Sequence, residues 1–250
     1  MSPVETTFLI FVAIGFCAQL IDGALGMAYG ITSTTALMAT GMPPAVASAN
    51  VHAAEIVTTA ISGGSHALVG NVDWRLLRRL APVGALAAVA GAILASHLDL
   101  GFARLLIAVY LLVMGVIVIE RGLRRERPVS AVKKISWLAL IGGFCDALGG
   151  GGWGPVVASN LVARGSDVAR TIGTVNAAEF FMTSAATIAF ASSLGMEFGA
   201  AFLGLLIGGA IAAPLAAIAI KRIHKPTLTI GVGVIICLLS VFNIINWATA

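Results

Sequence analysis

The sequence predicts an all-α membrane protein with several transmembrane helices, built from two homologous four-segment repeats. Of its 250 residues, 59% are hydrophobic and only 10% are charged. The mean hydropathy of +1.01 is too high for a soluble domain, which cannot bury that much apolar side chain. The other two observations are that the two halves match each other at one constant offset, and that each half contains a glycine-rich break at the same place.

The predicted spans are stretches of roughly 20 residues with almost no charge. At about 1.5 Å per residue, such a helix crosses a hydrocarbon core of about 30 Å. The clearest examples are Ala47–Val69, Leu80–Ser96, Arg104–Ile119, Gly199–Ile220 and Thr227–Trp247. Lysine and arginine are concentrated in the loops between the spans, so the pI of about 9.3 indicates membrane topology and not nucleic-acid binding. The three cysteines lie far apart, and we predict no metal and no cofactor.

The internal repeat relates residue i to residue i+124 without gaps. Small apolar residues coincide often by chance, whereas acidic residues and a series of glycines do not. The matched pairs include Asp22 with Asp146, Glu55 with Glu179, Gly26 with Gly150 and Gly30 with Gly154. We predict repeats at residues 1–124 and 125–250, which together form one membrane domain.

Each repeat is predicted to begin with a broken helix and to continue with three transmembrane helices. In the second repeat the break has the sequence Asp-Ala-Leu-Gly-Gly-Gly-Gly-Trp-Gly-Pro, from Asp146 to Pro155. Each glycine costs a helix about 1 kcal/mol relative to alanine, and proline about 3 kcal/mol. The backbone is therefore expected to open here, and at the corresponding residues 22–30 of the first repeat.

The basic loops indicate how the broken helices lie in the membrane. If both are re-entrant, the repeats are inverted, and the basic segments near residues 75–79, 121–134, 164–170 and 221–225 fall on one side. If both cross, the repeats are parallel and basic segments lie on both sides. The positive-inside rule favours inverted, re-entrant repeats with both termini outside the cytoplasm.

The breaks are also the predicted binding site. Non-helical backbone at membrane depth is tolerated where it lines a cavity, and paired breaks in two halves are typical of transporter sites. The half-helices that follow would present amide donors and positive dipole ends to an anion. The alternative is that the glycines only allow close helix packing. Asp22 and Asp146, at the edges of the breaks, either exchange protons for coupling or cap the half-helices.

A second polar group lies on the helix after each break. Asn50, His52 and Glu55 correspond to Thr174, Asn176 and Glu179. Residues three apart share a helical face, and a glutamate is not expected to face lipid. His52 and Glu55 either relay protons or bond across helices to connect the halves. The predicted substrate-binding residues are Asp22, Gly26, Tyr29, Asn50, His52, Glu55, Asp146, Gly150, Gly151, Gly152, Trp153, Asn176 and Glu179.

These motifs resemble the TauE/SafE sulfite exporter family of bacterial membrane permeases over nearly the whole chain. The resemblance rests on Ile-Asp-Gly-Ala-Leu-Gly ending at Gly26, on the glycine run with its Trp-Gly-Pro, on Gly-Thr-Val-Asn-Ala-Ala-Glu ending at Glu179, and on the two-repeat plan. It implies a multi-pass protein of the bacterial inner membrane that moves sulfite or an organosulfonate. The first break departs from the second, since Met27 and Ala28 replace glycines.

Together the motifs and the resemblance predict a secondary transporter of a small anion, working by alternating access, and not an enzyme. The sequence leaves two possibilities, transport coupled to protons through Glu55, Glu179 or an aspartate, and transport without proton coupling. The alternatives are an anion channel built on the same breaks, and an intramembrane enzyme that uses Asp22 and Asp146 as an aspartyl pair. The expected partners are the anion and the lipid bilayer, and the exposed spans are compatible with a homodimer.

Overall fold

The computed structural model describes residues 3–25, 28–98, 100–123, 134–158, 160–161, 168–195, 199–219 and 225–249. Over these ranges the chain is helical and contains no strand, as the composition predicts. The helices are α1 Pro3–Leu25, α2 Tyr29–Ala39, α3 Pro44–Leu68, α4 Trp74–His97, α5 Leu100–Leu123, α6 Ile135–Gly149, the short π-helical α7 Trp153–Ala158, α8 Val168–Leu194, α9 Ala200–Ala219 and α10 Lys225–Thr249.

Five of the described helices are long and apolar enough to cross a membrane. Their apolar windows are Glu5–Asp22, Trp74–His97, Phe102–Glu120, Arg170–Leu194 and Thr229–Thr249. The predicted span Ala47–Val69 lies in α3, which has 25 residues but carries the Asn50, His52 and Glu55 group. α1 has 23 residues, from Pro3 to Leu25, and precedes the first break.

Both predicted breaks are present. α6 ends at Gly149, and Gly150 takes a left-handed conformation with φ of 70°, which glycine adopts without steric cost. α7 begins at Trp153. In the first half α1 ends at Leu25 and α2 begins at Tyr29, directly after Ala28 with φ of 103°. Positive φ at an alanine is strained, and Gly152, the repeat partner of Ala28, does not share it, so the two breaks differ in backbone conformation at this position.

The half-helices after the two breaks begin at equivalent positions. α2 begins at residue 29 and α7 at residue 153, which are 124 positions apart. The helices that pack together most extensively come from opposite halves: α1 with α9, α5 with α10, α4 with α6, and α8 with both α4 and α3. The two halves are therefore interleaved.

Glycines allow several of these helix pairs to approach closely. A Cβ atom on Gly208 of α9 would overlap the Val12 carbonyl of α1, and one on Gly91 of α4 would overlap the Phe144 carbonyl of α6. Gly63 of α3 has no room for a Cβ either, because that atom would lie 2.9 Å from the Ala177 Cα of α8. Small residues are typical at such contacts in membranes, where packing replaces the hydrophobic effect.

The buried apolar residues form two clusters. One joins α4 of the first half with α6, α7 and α8 of the second, around Leu80, Trp153 and Phe190. The other joins α1, α2 and α5 of the first half with α9 and α10 of the second, around Ile31 and Leu205. α3 contributes to both. Many large apolar side chains point outward, such as Leu86 and Ile188, as expected for a surface that faces lipid.

Candidate functional site

A narrow cavity lies where the two breaks meet, with about 10 Å³ of free space, which is the room that a single water molecule needs. Both halves contribute to its lining, and the first turns of α2 and α7 both reach it. The lining residues are Asp22, Ala28, Tyr29, Gly30, Ile31, Glu55, Asp146, Gly151, Gly152, Gly154, Pro155 and Glu179. Four of these carry carboxylates, and among the described lining residues there is no lysine or arginine.

Asp146 is the best-connected carboxylate of the site. It is buried at the end of α6, and its Oδ1 accepts hydrogen bonds from the backbone amides of Gly152 and, at 2.7 Å, Trp153. Its Oδ2 lies 3.0 Å from His52 Nε2. Because the two amides open α7, Asp146 caps that half-helix, which is one of the two roles that the sequence left open for it.

Asp22 occupies the equivalent place in the first half but is less tightly held. Its Oδ1 accepts from the Tyr29 amide at 3.3 Å, which is the equivalent of the Trp153 amide. Among the described residues no imidazole faces Asp22, since Asn176, the repeat partner of His52, instead donates to Ser62 Oγ at 2.7 Å. In both breaks the aspartate therefore accepts from the amide of the first residue of the following half-helix. The breaks differ in that, among the described residues, only Asp146 has an imidazole beside it.

His52 connects the two halves. Its ring is fully buried on α3, with Nδ1 2.7 Å from the Ser48 carbonyl oxygen and Nε2 at Asp146 of α6. Ser48 Oγ also crosses to the second half, donating to the Ala147 carbonyl at 2.8 Å. His52 thus makes the bond across helices that the sequence suggested as one of its two roles.

Glu55 and Glu179 face each other across the cavity from α3 and α8, and interact electrostatically with Asp22 and Asp146. Glu55 is 4% exposed, and its Oε2 has no hydrogen-bond partner among the described residues. Its Oε1 lies beside the first turn of α2, where a Cβ on Gly30 would come within 3.2 Å of it. An ionised carboxylate in this position is costly, because burial removes water and the described lining of the cavity offers no lysine or arginine in its place.

The glycines bring the two breaks into direct backbone contact. Thr34 Oγ1 of α2 donates to the Gly150 carbonyl at 2.8 Å, and a Cβ on Gly151 would overlap the Ile31 amide nitrogen. On the opposite side, Tyr110 of α5 donates from its hydroxyl to the Gly151 carbonyl at 2.7 Å. The carbonyls freed by the break are thereby satisfied by side chains, as membrane depth requires.

The cluster His52, Glu55 and Asp146 offers nitrogen and oxygen atoms within 4.8 Å of one another. Donor atoms of these types can hold a divalent cation. Here the contact between His52 Nε2 and Asp146 Oδ2 pairs two of the three atoms directly. That contact has the length of an ordinary charge-assisted hydrogen bond, and we assign no metal to the cluster.

Some predicted site residues do not line the cavity. Asn50 is buried, with its Nδ2 donating to the Val46 carbonyl at 2.8 Å within α3. The Trp153 indole is fully buried in the cluster around Leu80 and donates to the Val175 carbonyl, so only its backbone amide reaches the site. Gly26 lies outside the described residues.

Three contacts of the site were not predicted from the sequence: those of Ser48, Thr34 and Tyr110. Ser48 precedes His52 by one helical turn, a spacing that places both on one face. Tyr110 is one of only two tyrosines in the chain and lies inside an apolar span, which is the signal that could have identified it. Thr34 carries no such signal, because a threonine inside a helix commonly bonds within that helix.

Comparison with known proteins places this chain in a family. The family model of the sulfite exporters TauE/SafE matches residues 11–243. The chain is 42% identical over 249 residues to the "Probable membrane transporter protein YtnM" of Bacillus subtilis (strain 168), an alignment that covers 95% of this chain and 83% of that protein. No solved structure matches. The predicted family is thereby confirmed: the chain belongs to the TauE/SafE family of membrane transporters, as a multi-pass membrane protein.

Proposed function

We propose that the protein is a secondary carrier that moves a small anion, sulfite or an organosulfonate, across the bacterial inner membrane. The observation that carries this proposal is that two helix breaks, one from each half, meet at a single buried cavity. Paired breaks of this kind form the substrate sites of many secondary transporters. The family supports transport, and its description as sulfite exporters supports a sulfur oxyanion.

The two halves, residues 1–124 and 125–250, are in this proposal inverted repeats. The common starting positions and the exchange of packing partners, α1 on α9 and α6 on α4, support it. The half-helices that follow the breaks are re-entrant. α2 has 11 residues, about 16 Å at 1.5 Å per residue, which is too short to cross a core of about 30 Å.

The two apolar clusters support alternating access. Each cluster combines helices of both halves, and in this proposal each moves as one body while α3 and α8 line the cavity with Glu55 and Glu179. Rocking of one body against the other would widen the narrow cavity toward one side of the membrane at a time. The anion would approach the amides that open α2 and α7, where the half-helix dipoles favour negative charge.

In the present conformation those amides are engaged by the protein itself. The carboxylates of Asp22 and Asp146 accept from them, and so occupy the place of an anionic ligand. An incoming anion must share or displace these bonds. We therefore expect Asp146→Asn, which weakens the cap of α7, to change the apparent affinity for the anion more strongly than Asp22→Asn does, because among the described residues Asp146 accepts from two amides and Asp22 from one.

The test is flux of sulfite and of a sulfonate into proteoliposomes. A carrier gives saturable flux and counterflow, in which unlabelled anion inside accelerates labelled uptake. Gly151→Ala, whose Cβ would overlap Ile31, is expected to reduce flux strongly. The matched control is Gly64→Ala, because a Cβ there meets nothing within 4 Å.

Three outcomes would contradict the proposal. Flux that rises linearly with concentration and shows no counterflow would establish a channel. A folded protein that moves no sulfur anion would remove the substrate assignment. Cleavage of a membrane-embedded peptide by the purified protein, abolished in Asp146→Asn, would establish an enzyme.

A further inference from the structure

The charges of the cavity conflict with its proposed cargo. Four carboxylates line it, and the described lining residues include no lysine or arginine. If all four were ionised, the field inside would repel an anion, and it would do so strongly, because a buried site has little water to screen the charges. An anion site with this lining needs positive charge from another source.

The two hydrogen bonds of the His52 ring show that it and Asp146 hold one proton more than a neutral ring and an ionised Asp146 would hold together. The Ser48 carbonyl can only accept, so the 2.7 Å contact requires a proton on Nδ1 of the imidazole. The 3.0 Å contact between Nε2 and Asp146 Oδ2 then requires a second proton between those two atoms. The ring and the carboxylate therefore form a neutral unit with one shared proton, and the charge of Asp146 is compensated inside the protein.

Glu55 has no such compensation. Its Oε2 is without a hydrogen-bond partner among the described residues while the side chain is 96% buried. The titratable groups around it are Asp22 on α1, Tyr29 on α2, Asp146 on α6, Glu179 on α8 and His52 on its own helix, with Tyr110 of α5 beyond the second break. Of these only His52 can be cationic, and its second proton is already shared with Asp146. Glu179 is the repeat partner of Glu55 and faces the same acidic groups.

We propose that Glu55 and Glu179, one from each half, are the proton-binding groups of the carrier, and that they take up protons when the anion occupies the cavity. This inference rests on the proposed function. The neutral glutamates remove the repulsion, and each supplies an O–H donor to the anion. When the anion leaves, its negative charge no longer raises the proton affinity of the glutamates, and the protons pass to water that enters the opened cavity on the same side. Anion and protons therefore cross in the same direction.

The experiment measures both fluxes in the same vesicles. Proteoliposomes with a pH-sensitive dye inside and a clamped membrane potential are given an inward gradient of 2-hydroxyethanesulfonate, whose own charge does not change near neutral pH. The wild type is expected to acidify the lumen in proportion to sulfonate uptake. Glu55→Gln and Glu179→Gln each lower the ratio of protons to sulfonate by about half, because one of two proton-binding groups is lost in each. In the double variant an imposed pH gradient no longer drives sulfonate uptake.

Two further variants separate titration from structure. Glu55→Asp keeps an ionisable group and is expected to retain acidification, which a purely structural role of the glutamate would not predict. Glu120→Gln, at an exposed glutamate near the end of α5, is the matched control and leaves the ratio of protons to sulfonate unchanged.

Each remaining outcome decides one of the two proposals. Sulfonate uptake by the wild type without a change in lumenal pH overturns the proton-binding role and leaves the carrier intact. Absence of any anion flux overturns the carrier itself. Uptake that a chelator abolishes and a divalent metal restores would assign a cation to His52, Glu55 and Asp146, and would likewise overturn the proton-binding role. Because the wild-type measurement alone can refute coupling, a variant that fails to fold does not leave the question open.

Discussion

Gly150→Ala tests the contact that joins the two breaks. Gly150 has φ of 70°, and a left-handed conformation costs an L-residue about 1–2 kcal/mol. The new Cβ would also overlap Thr34 Oγ1 and lie 2.6 Å from its Cγ2, so the threonine must turn away. Its buried hydrogen bond to the Gly150 carbonyl is then lost, at a further cost of about 1–3 kcal/mol. The sum predicts a loss of about 2–5 kcal/mol in the free energy of unfolding.

A double-mutant cycle separates the two contributions. Thr34→Ala removes the same hydrogen bond, together with the Cγ2 methyl group that the new Cβ would meet, and is expected to cost about 1–3 kcal/mol. Each single variant loses the hydrogen bond from Thr34 to the Gly150 carbonyl, and the double variant can lose it only once. The decrease in the free energy of unfolding of the double variant should therefore be smaller than the sum of the two single decreases by about 1–3 kcal/mol. Unfolding in mixed micelles titrated with a denaturing detergent measures these energies. Additive losses, or a neutral Gly150→Ala, would refute both the left-handed turn and the contact with Thr34.

Three further predictions concern single positions of the fold and can be measured by the same unfolding assay. Ala28→Gly is expected to stabilise the protein by about 0.5–1 kcal/mol, since glycine removes the strain of positive φ but adds some backbone entropy; Ala36→Gly, in regular helix, should instead destabilise by about 1 kcal/mol. Trp153→Phe should lower the free energy of unfolding by about 1–2 kcal/mol, because packing and the hydrogen bond to a backbone carbonyl are lost. A raised KM for the anion at unchanged stability would instead place the indole in the site. Gly63→Ala should separate α3 from α8 and destabilise the protein, whereas its neighbour Gly64→Ala should be neutral or stabilising by about 1 kcal/mol; equal effects of the two would contradict the close helix contact.

Some features of the site were accessible from the sequence because they are local or repeated. Four consecutive glycines before Trp153 break a helix in any tertiary context, and the structure has its break there. The offset of 124 pairs Asp22 with Asp146 and Glu55 with Glu179 in the sequence alone, and all four carboxylates line one cavity. For Asp22 and Asp146 the sequence left two roles open, and the amide contacts show that capping is one that both residues perform.

Other features depend on which helices become neighbours, and no local pattern contains that information. The indole of Trp153 belongs to the core because Gly84 of α4, from the other half, leaves room for it: a Cβ on Gly84 would lie 2.7 Å from the ring. His52 is linked to Asp146 and Asn176 to Ser62, although the repeat alone would treat the two positions as equivalent.

The sequence by itself determined that the chain is an all-helical membrane protein with two matched breaks, because composition, glycine runs and a constant offset act through short-range physics. Only the tertiary structure decided that the halves interleave and that the breaks face each other. It also decided that His52 contacts one of the two aspartates and that Oε2 of Glu55 has no hydrogen-bond partner among the described residues. These are consequences of helix packing, in which the small residues of one half determine how closely the backbone of the other half can approach.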